Sequence, residues 1–265
     1  MSLPTYDTLL TERVAPHVLL ITINRPQVGN ALNSQMGADF LDLWTRLTED
    51  AGEVRCIVLT GAGEKIFCAG ADLKERQGMN QAQWIKQHQL FERMYWALTD
   101  LPIPVIAAVN GHAYAGGFET VLSCDFAYAS NAARFALTEV TLGIMPGAGG
   151  TQNLPRAIGE RKAKEMMLTG QPITAQTALE WGVFNAIAEP AQVLPMALHT
   201  AQTIAANAPL SVRQIKKSVR YGQQMELRTA FRFEVEAYNH LVETEDRYEG
   251  VSAFNEKRKP VFKGR

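Results

Sequence analysis

Cysteine is scarce in this 265-residue chain, and what there is lies scattered. Cys56, Cys68 and Cys124 are odd in number and lack any CxxC spacing. That argues against a disulfide framework or a zinc site and makes a reducing compartment, the cytosol, the expected location. The five histidines (His17, His88, His112, His199 and His240) offer no HxxxH pair, so each reads as structural or solvated and no metal site is expected. No stretch approaches the roughly 20 apolar residues of a membrane-spanning helix. Met1–Thr22 has no basic leader, and its apolar run Val18–Ile21 is too short for an export signal. A net charge of −1 gives no global electrostatic reason to expect nucleic acid or a membrane surface as partner. GxGxxG opening a strand–helix unit, GxxxxGK[ST] and GxSxG are all missing, which counts against a nucleotide-phosphate loop and a serine hydrolase.

What is present is ordinary globular material, 46% hydrophobic and 20% charged, enough for one large domain or a domain with an appendage. His17–Ile23 is β-rich and ends at the turn Asn24-Arg-Pro26. Met36, Phe40, Leu43 and Leu47 recur at helical spacing, which predicts an amphipathic helix over Ser34–Thr48. Cys56–Thr60, Val105–Val109 and Phe126–Ala129 read as short strands. Trp84, Phe91, Met94, Tyr95 and Leu98 mark a helix between the first two of these, stopped at Leu101-Pro-Ile-Pro104. Alternating strands and helices argue an α/β body over residues 1–195. Beyond it, 196–265 reads as mostly helical, with Pro209 suited to a helix start. Phe233–His240 is too apolar on one side to face water, so this region is expected to pack on another surface, such as a second subunit.

Two glycine-rich stretches follow apolar strands: Phe67-Cys-Ala-Gly-Ala-Asp-Leu73 and Gly111-His-Ala-Tyr-Ala-Gly-Gly117. Ligands of α/β proteins collect at such strand ends, and glycine lets main-chain N–H groups approach them. If Gly116 opens a helix, its N–H lies at the positive end of the helix dipole. The alternative is that both stretches are ordinary turns. Glu119 then falls in the first helical turn among Phe118, Val121 and Leu122, where a buried acid is costly without a purpose or a partner. Local sequence leaves it open between a dipole partner and an acid–base group. Glu139, in the apolar run Phe135–Leu142, is open between a cap or ion pair and the same chemistry. Asp72 and Asp125 read as turn and structural residues. Two acids with exposed N–H donors are the requirements for holding an oxyanion while protons move about a carbonyl compound.

Taken together, these segments resemble the crotonase family, the enoyl-CoA hydratase/isomerase superfamily. The resemblance is carried by Asn24-Arg-Pro26, Asn30-Ala-Leu32, Ile57–Gly61, Phe67–Leu73, Pro104–Gly111, Gly116-Gly-Phe-Glu119 and Glu139–Gln152. It continues in Thr244–Arg247, Glu249-Gly250 and Ala253–Pro260, and so spans nearly the whole chain in order. It implies a spiral of ββα units carrying an acyl-CoA site, then a helical region that builds homotrimers, often paired into hexamers. By position, the implied oxyanion hole is the N–H groups of Ala71 and Gly116, and the implied acids are Glu119, which activates water, and Glu139, which protonates C2. Lys65, Ala69 and Lys74 would lie along CoA, and Lys257 would reach its 3′-phosphate, across a subunit boundary if need be. The implied activity is hydration of a 2-enoyl-CoA, with no cofactor beyond the acyl-CoA substrate and no metal.

Three positions depart from the common pattern. Ala115 stands where many members have glycine and is tolerable unless its φ is positive. Phe118 replaces a smaller residue and is expected to narrow the pocket, and Asn153 replaces a frequent arginine. The alternatives within the family are an enoyl-CoA isomerase, which manages with an acid at the Glu139 position, and a methylglutaconyl-CoA hydratase, suggested by Gly70–Arg76. The alternative of another class is an RNA-binding or scaffolding protein of the same fold, supported by the basic stripe Arg213, Lys216, Lys217 and Arg220.

Overall fold

The computed structural model describes residues 3–265; residues 1 and 2, the start of the Met1–Thr22 segment read above for an export signal, lie outside that description. The strands β1 (Leu9–Ala15) and β2 (Val18–Ile23) pair antiparallel, and α1 (Ser34–Glu49) follows. This helix begins where the Asn33 side chain accepts the Met36 N–H, and it buries Met36, Phe40, Leu43 and Leu47 on one face, as their spacing predicts.

Repeating ββα turns come next. The first is β3 (Cys56–Gly61), β4 (Ile66–Cys68), α2 (Leu73–Gln77) and α3 (Gln81–Asp100). The second is β5 (Val105–Val109), β6 (His112–Tyr114) and α4 (Gly116–Ser123). The third is β7 (Phe126–Ser130), β8 (Arg134–Ala136), α5 (Gly150–Ile158) and α6 (Glu160–Thr169). After these come β9 (Ile173–Thr174), α7 (Ala175–Trp181), β10 (Ala186–Ala188) and α8 (Pro190–Ala205). The chain ends in α9 (Pro209–Gly222), α10 (Leu227–Val242) and α11 (Glu245–Asn255).

Each turn gives one strand to each of two sheets. The larger has the order β1-β2-β3-β5-β7-β10 and the smaller β4-β6-β8-β9. All neighbours from β2 to β10 in the larger sheet are parallel, as are β4, β6 and β8 in the smaller. This is the α/β spiral of ββα units that the resemblance implies.

The central strands β3 and β5 are buried at every residue, because both faces of the sheet are covered. Ile57, Leu59, Val105, Ala107 and Val109 join the main core with α1 and α3. Their alternates Cys56, Val58, Ile106 and Ala108 face Val193, Ala197, Ala201 and Ala205 of α8. The sheet-covering helix therefore runs past residue 195, and the buried clusters extend to Ala205.

The last three helices contribute nothing to either cluster. Along α10, Leu227, Phe231, Val235 and Tyr238 are all more than half exposed, at the helical spacing of one face. Phe254 of α11 is 83% exposed. The basic stripe of α9 is largely engaged within the protein. Lys216 pairs with Asp125 at 2.8 Å, Arg220 lies 3.7 Å from Asp100, and the Lys217 ammonium sits over the Phe233 ring. The feature that supported an RNA-binding reading is thus mostly structural.

Candidate active site

Three neighbouring parallel strands of the small sheet, β4, β6 and β8, end in the segments that matter. Ala71 follows β4, Gly116 follows β6 and Glu139 follows β8, so the strand order itself gathers them at one edge. A cleft of about 750 Å³ opens there, within the usual size of a small-ligand site. Ala69, Ala71, Gly116, Glu119 and Glu139 all line it.

The two glycine-rich turns aim main-chain donors into this cleft. The Gly70 carbonyl accepts the Leu32 N–H at 2.8 Å. In a trans peptide the N–H opposes the C=O, so the Ala71 N–H points away from Leu32. No acceptor among the described residues takes it. The Ala115 carbonyl likewise accepts the Glu119 N–H at 2.9 Å, which turns the Gly116 N–H out of the start of α4. Tyr95, buried on α3, fixes this turn from below, its hydroxyl donating to the Gly116 carbonyl at 2.5 Å. Thr120 Oγ1 donates to the same carbonyl at 2.9 Å. Gly117 is required because a Cβ there would run into the Cys68 carbonyl on β4.

Ala115 has φ +48° and ψ −127°, a conformation that favours glycine. It is held by its N–H bond to the Ala136 carbonyl, 2.9 Å, and by the Glu119 bond. The condition stated for this departure is therefore met: the residue is strained, by a cost on the order of 1–3 kcal/mol, at the point that aims the Gly116 donor.

Glu119 is 3% exposed. Its Oε1 accepts the main-chain N–H groups of Ala148 and Gly150, both at 2.8 Å, from the loop that leads into α5. A side chain at Gly150 would press on that oxygen, so the glycine keeps the loop close. Burial pushes the Glu119 carboxyl above its ordinary range, and the donors of Gly150, Ala148 and Gly147 pull it back toward the ionised form.

Glu139 is 6% exposed and opens a short 3-10 turn, Glu139–Leu142. Its Oε2 is buried without a hydrogen-bond partner. Burial pushes its carboxyl up to about 7, its own main-chain N–H opposes the rise, and the Glu119 charge adds to it. The two acids thus differ: one has main-chain donors for its anion, the other has an oxygen that favours the protonated form.

Not every expected residue lies in the cleft. Lys65, Lys74 and Lys257 are exposed and do not line it, although Ala69, between the first two in sequence, does. Phe118 corrects an expectation: it is fully buried, packs on Phe135 at 5.7 Å between ring centroids, and leaves the cleft untouched. On α4 it faces inward while Glu119, the next residue, faces the cleft. Asn153 lies on α5, away from the cleft lining. Asp72 caps α2 and pairs with Arg25, and Asp125 accepts the Val105 N–H, both structural as expected.

Sequence reasoning missed the far wall of the cleft. Arg76, Trp84, Ile85, His88 and Tyr95 line it, supplied by α2 and by one face of α3. The spacing of Trp84 and Tyr95 reads as one helix face, which core packing explains equally well, and His88 reads as structural or solvated.

Comparison with known proteins finds likenesses along nearly the whole chain. Residues 13–265 match the family described as enoyl-CoA hydratase/isomerase. The chain is similar to the short-chain-enoyl-CoA hydratase of Clostridium acetobutylicum, 43% identical over 91% of this chain and 92% of the relative. It is similar to the 2,3-dehydroadipyl-CoA hydratase of Escherichia coli, 39% identical over 94% of this chain and 96% of the relative. Among solved structures it is similar to an enoyl-CoA hydratase from Bacillus anthracis, with a TM-score of 0.95 and 42% identity, covering 98% of this chain and all of that one.

Proposed function

We propose that this chain, which belongs to the enoyl-CoA hydratase/isomerase family, is a hydro-lyase that adds water across the 2,3 double bond of a 2-enoyl-CoA. The observation that carries the reading is the pair of buried carboxylates, Glu119 and Glu139, lining one cleft with two main-chain donors that are unpaired among the described residues and aimed into it.

The thioester oxygen sits between the N–H groups of Ala71 and Gly116. As charge builds on that oxygen during addition, donors already in place stabilise it without rearranging, each worth on the order of 2.7–4 kcal/mol in comparable sites. Water lies between the two acids. Glu119, the carboxylate with main-chain donors on its anion, takes a proton from the water as the oxygen bonds to C3. Glu139, held protonated up to a pH of about 7, gives its proton to C2 as the enolate collapses. The product is the 3-hydroxyacyl-CoA, and the proton on Glu119 passes back to Glu139 before the next turnover. Because the acids interact, their titration belongs to the pair. Lys65 and Lys74, in the segments flanking Ala69, are assigned to the CoA phosphates, and Lys257 to a neighbouring subunit's CoA. The apolar face of α10 is assigned to a homotrimer or hexamer contact.

The test is the loss of enone absorbance from crotonyl-CoA, with the product identified by mass. Absorbance loss with a gain of one water supports the hydratase. Interconversion of a 3-enoyl-CoA with no water gained transfers the reading to an isomerase, and no turnover of either removes both.

A further inference from the structure

Arg76 is a cation on the wall of the cleft that makes no ion pair among the described residues. Its guanidinium lies 4.4 Å from the centroid of the Trp84 ring and 5.9 Å from that of Phe91. Its Nε donates to Gln87 Oε1 at 2.9 Å, which fixes the plane of the group. A guanidinium has five N–H donors, and this bond uses one. No ion pair among the described residues includes Arg76.

The nearest acid in sequence is already committed. Glu75 takes the Ser34 N–H and the Gln87 amide, the latter at 2.7 Å. Glu92 lines the same cleft but lies outside ion-pair distance of Arg76. Packing against two rings holds the guanidinium beside apolar surface, where burial works against its charged form and the Glu75 charge, too far for an ion pair, partly favours it. Around it the wall is largely apolar, with Leu73, Ile85, Leu142, Ile144 and Met145, and its other polar side chains are His88, Gln89 and Glu92. A chamber for a plain hydrocarbon tail has no use for a charge held in this way.

We infer that the substrate is a 2-enoyl-CoA whose acyl chain ends in a carboxylate, and that Arg76 receives it through its free Nη donors, with Trp84 and Gln87 as positioning residues. The inference rests on the acyl-CoA reading of the cleft. Four residues, three of them helical, lie between Ala71 and Arg76, so at most roughly 12 Å divides their main-chain atoms. A short acyl chain and an arginine side chain span that distance between them. A planar fork opposite a carboxylate makes two parallel charged hydrogen bonds, a geometry that lysine does not reproduce.

The experiment compares two six-carbon esters, trans-2-hexenoyl-CoA and its analogue with a terminal carboxylate, on the wild type and on Arg76→Met and Arg76→Lys. The wild type is expected to favour the acid in kcat/KM by about 10- to 100-fold. Arg76→Met removes that preference, leaves the neutral ester within about threefold, and Arg76→Lys restores only part of it. A wild type that handles the neutral ester as well as the acid overturns the proposal. So does an Arg76→Met variant that loses both esters equally, which would mark the arginine as structural or as a CoA-phosphate ligand. Dissociation constants for the two esters are measured alongside. If neither ester is hydrated, the hydratase reading fails, while the ratio of the two constants still decides whether Arg76 selects a carboxylate.

Discussion

The spiral body and the C-terminal helices are built from similar residues and use them in opposite ways. In the body, strands β3 and β5 bury every side chain, and two cores meet at the sheet between α1, α3 and α8. In α9–α11, the large apolar residues face out: Ile215, Val219, Leu227, Phe231, Tyr238 and Phe254 are all more than half exposed. An apolar face of this size on a lone chain is unfavourable, and patches of this kind mark contact surfaces. The body thus completes its core alone, whereas the helical region leaves an apolar face open, the face assigned above to a subunit contact. On that assignment, substitutions should separate chemistry from assembly.

The largest effect is expected in the body. Glu119→Gln and Glu139→Gln should each lower kcat for hydration by about 10² or more, with the circular dichroism of the wild type retained. The pH dependence distinguishes them. The folded-state pKa of Glu139, about 7, lies above its free value of 4.5, so the folded protein holds this proton the more tightly. The stability this confers is complete below pH 4.5 and is lost as pH rises through about 7, amounting to at most about 3 kcal/mol. Relative to wild type, Glu139→Gln should therefore gain stability between pH 5 and pH 8 in parallel denaturant titrations. A constant difference between the two proteins would remove the raised pKa from the account.

Next in size is an effect on the other region. Phe231→Asp, on the exposed face of α10, should reduce the mass measured by light scattering while leaving the body's melting transition in place. A wild type that is already monomeric at micromolar concentration would sink the assembly reading. The smallest effect is expected at Ala115. Glycine there relieves the positive φ and, after its own greater unfolded-state entropy, should stabilise by about 1 kcal/mol, or roughly 2–4 °C. Because Ala115 aims the Gly116 donor, a change in kcat without a change in KM would show that the strain also tunes the oxyanion contact.

Much of the site was legible because its parts are local. A glycine pair opening a helix, an acid in the first turn, and an acid in an apolar run after a strand can each be read within ten residues. Phe118 was misread because its direction depends on how α4 docks: adjacent helical residues differ by about 100°, so a core ring and a cleft acid can be neighbours. The donors on Glu119 come from Ala148 and Gly150, and the anchor of Gly116 is Tyr95, all remote in sequence. The lysines of the expected CoA contact were placed by resemblance alone, and one chain leaves them exposed outside the cleft.

The sequence by itself determined the alternation of strands and helices, the amphipathic face of α1, the two donor turns and the identity of the two acids. Those follow from side-chain periodicity and glycine chemistry, which act over a few residues. Only the tertiary structure decided that β4, β6 and β8 lie side by side, bringing Ala71, Gly116 and Glu139 to one edge. It alone left Glu139 with an orphaned oxygen, gave Glu119 its two donors, and set Arg76 against Trp84 without an ion pair among the described residues. Burial and unpaired charge depend on what the rest of the chain brings to a point in space, and no local pattern carries that information.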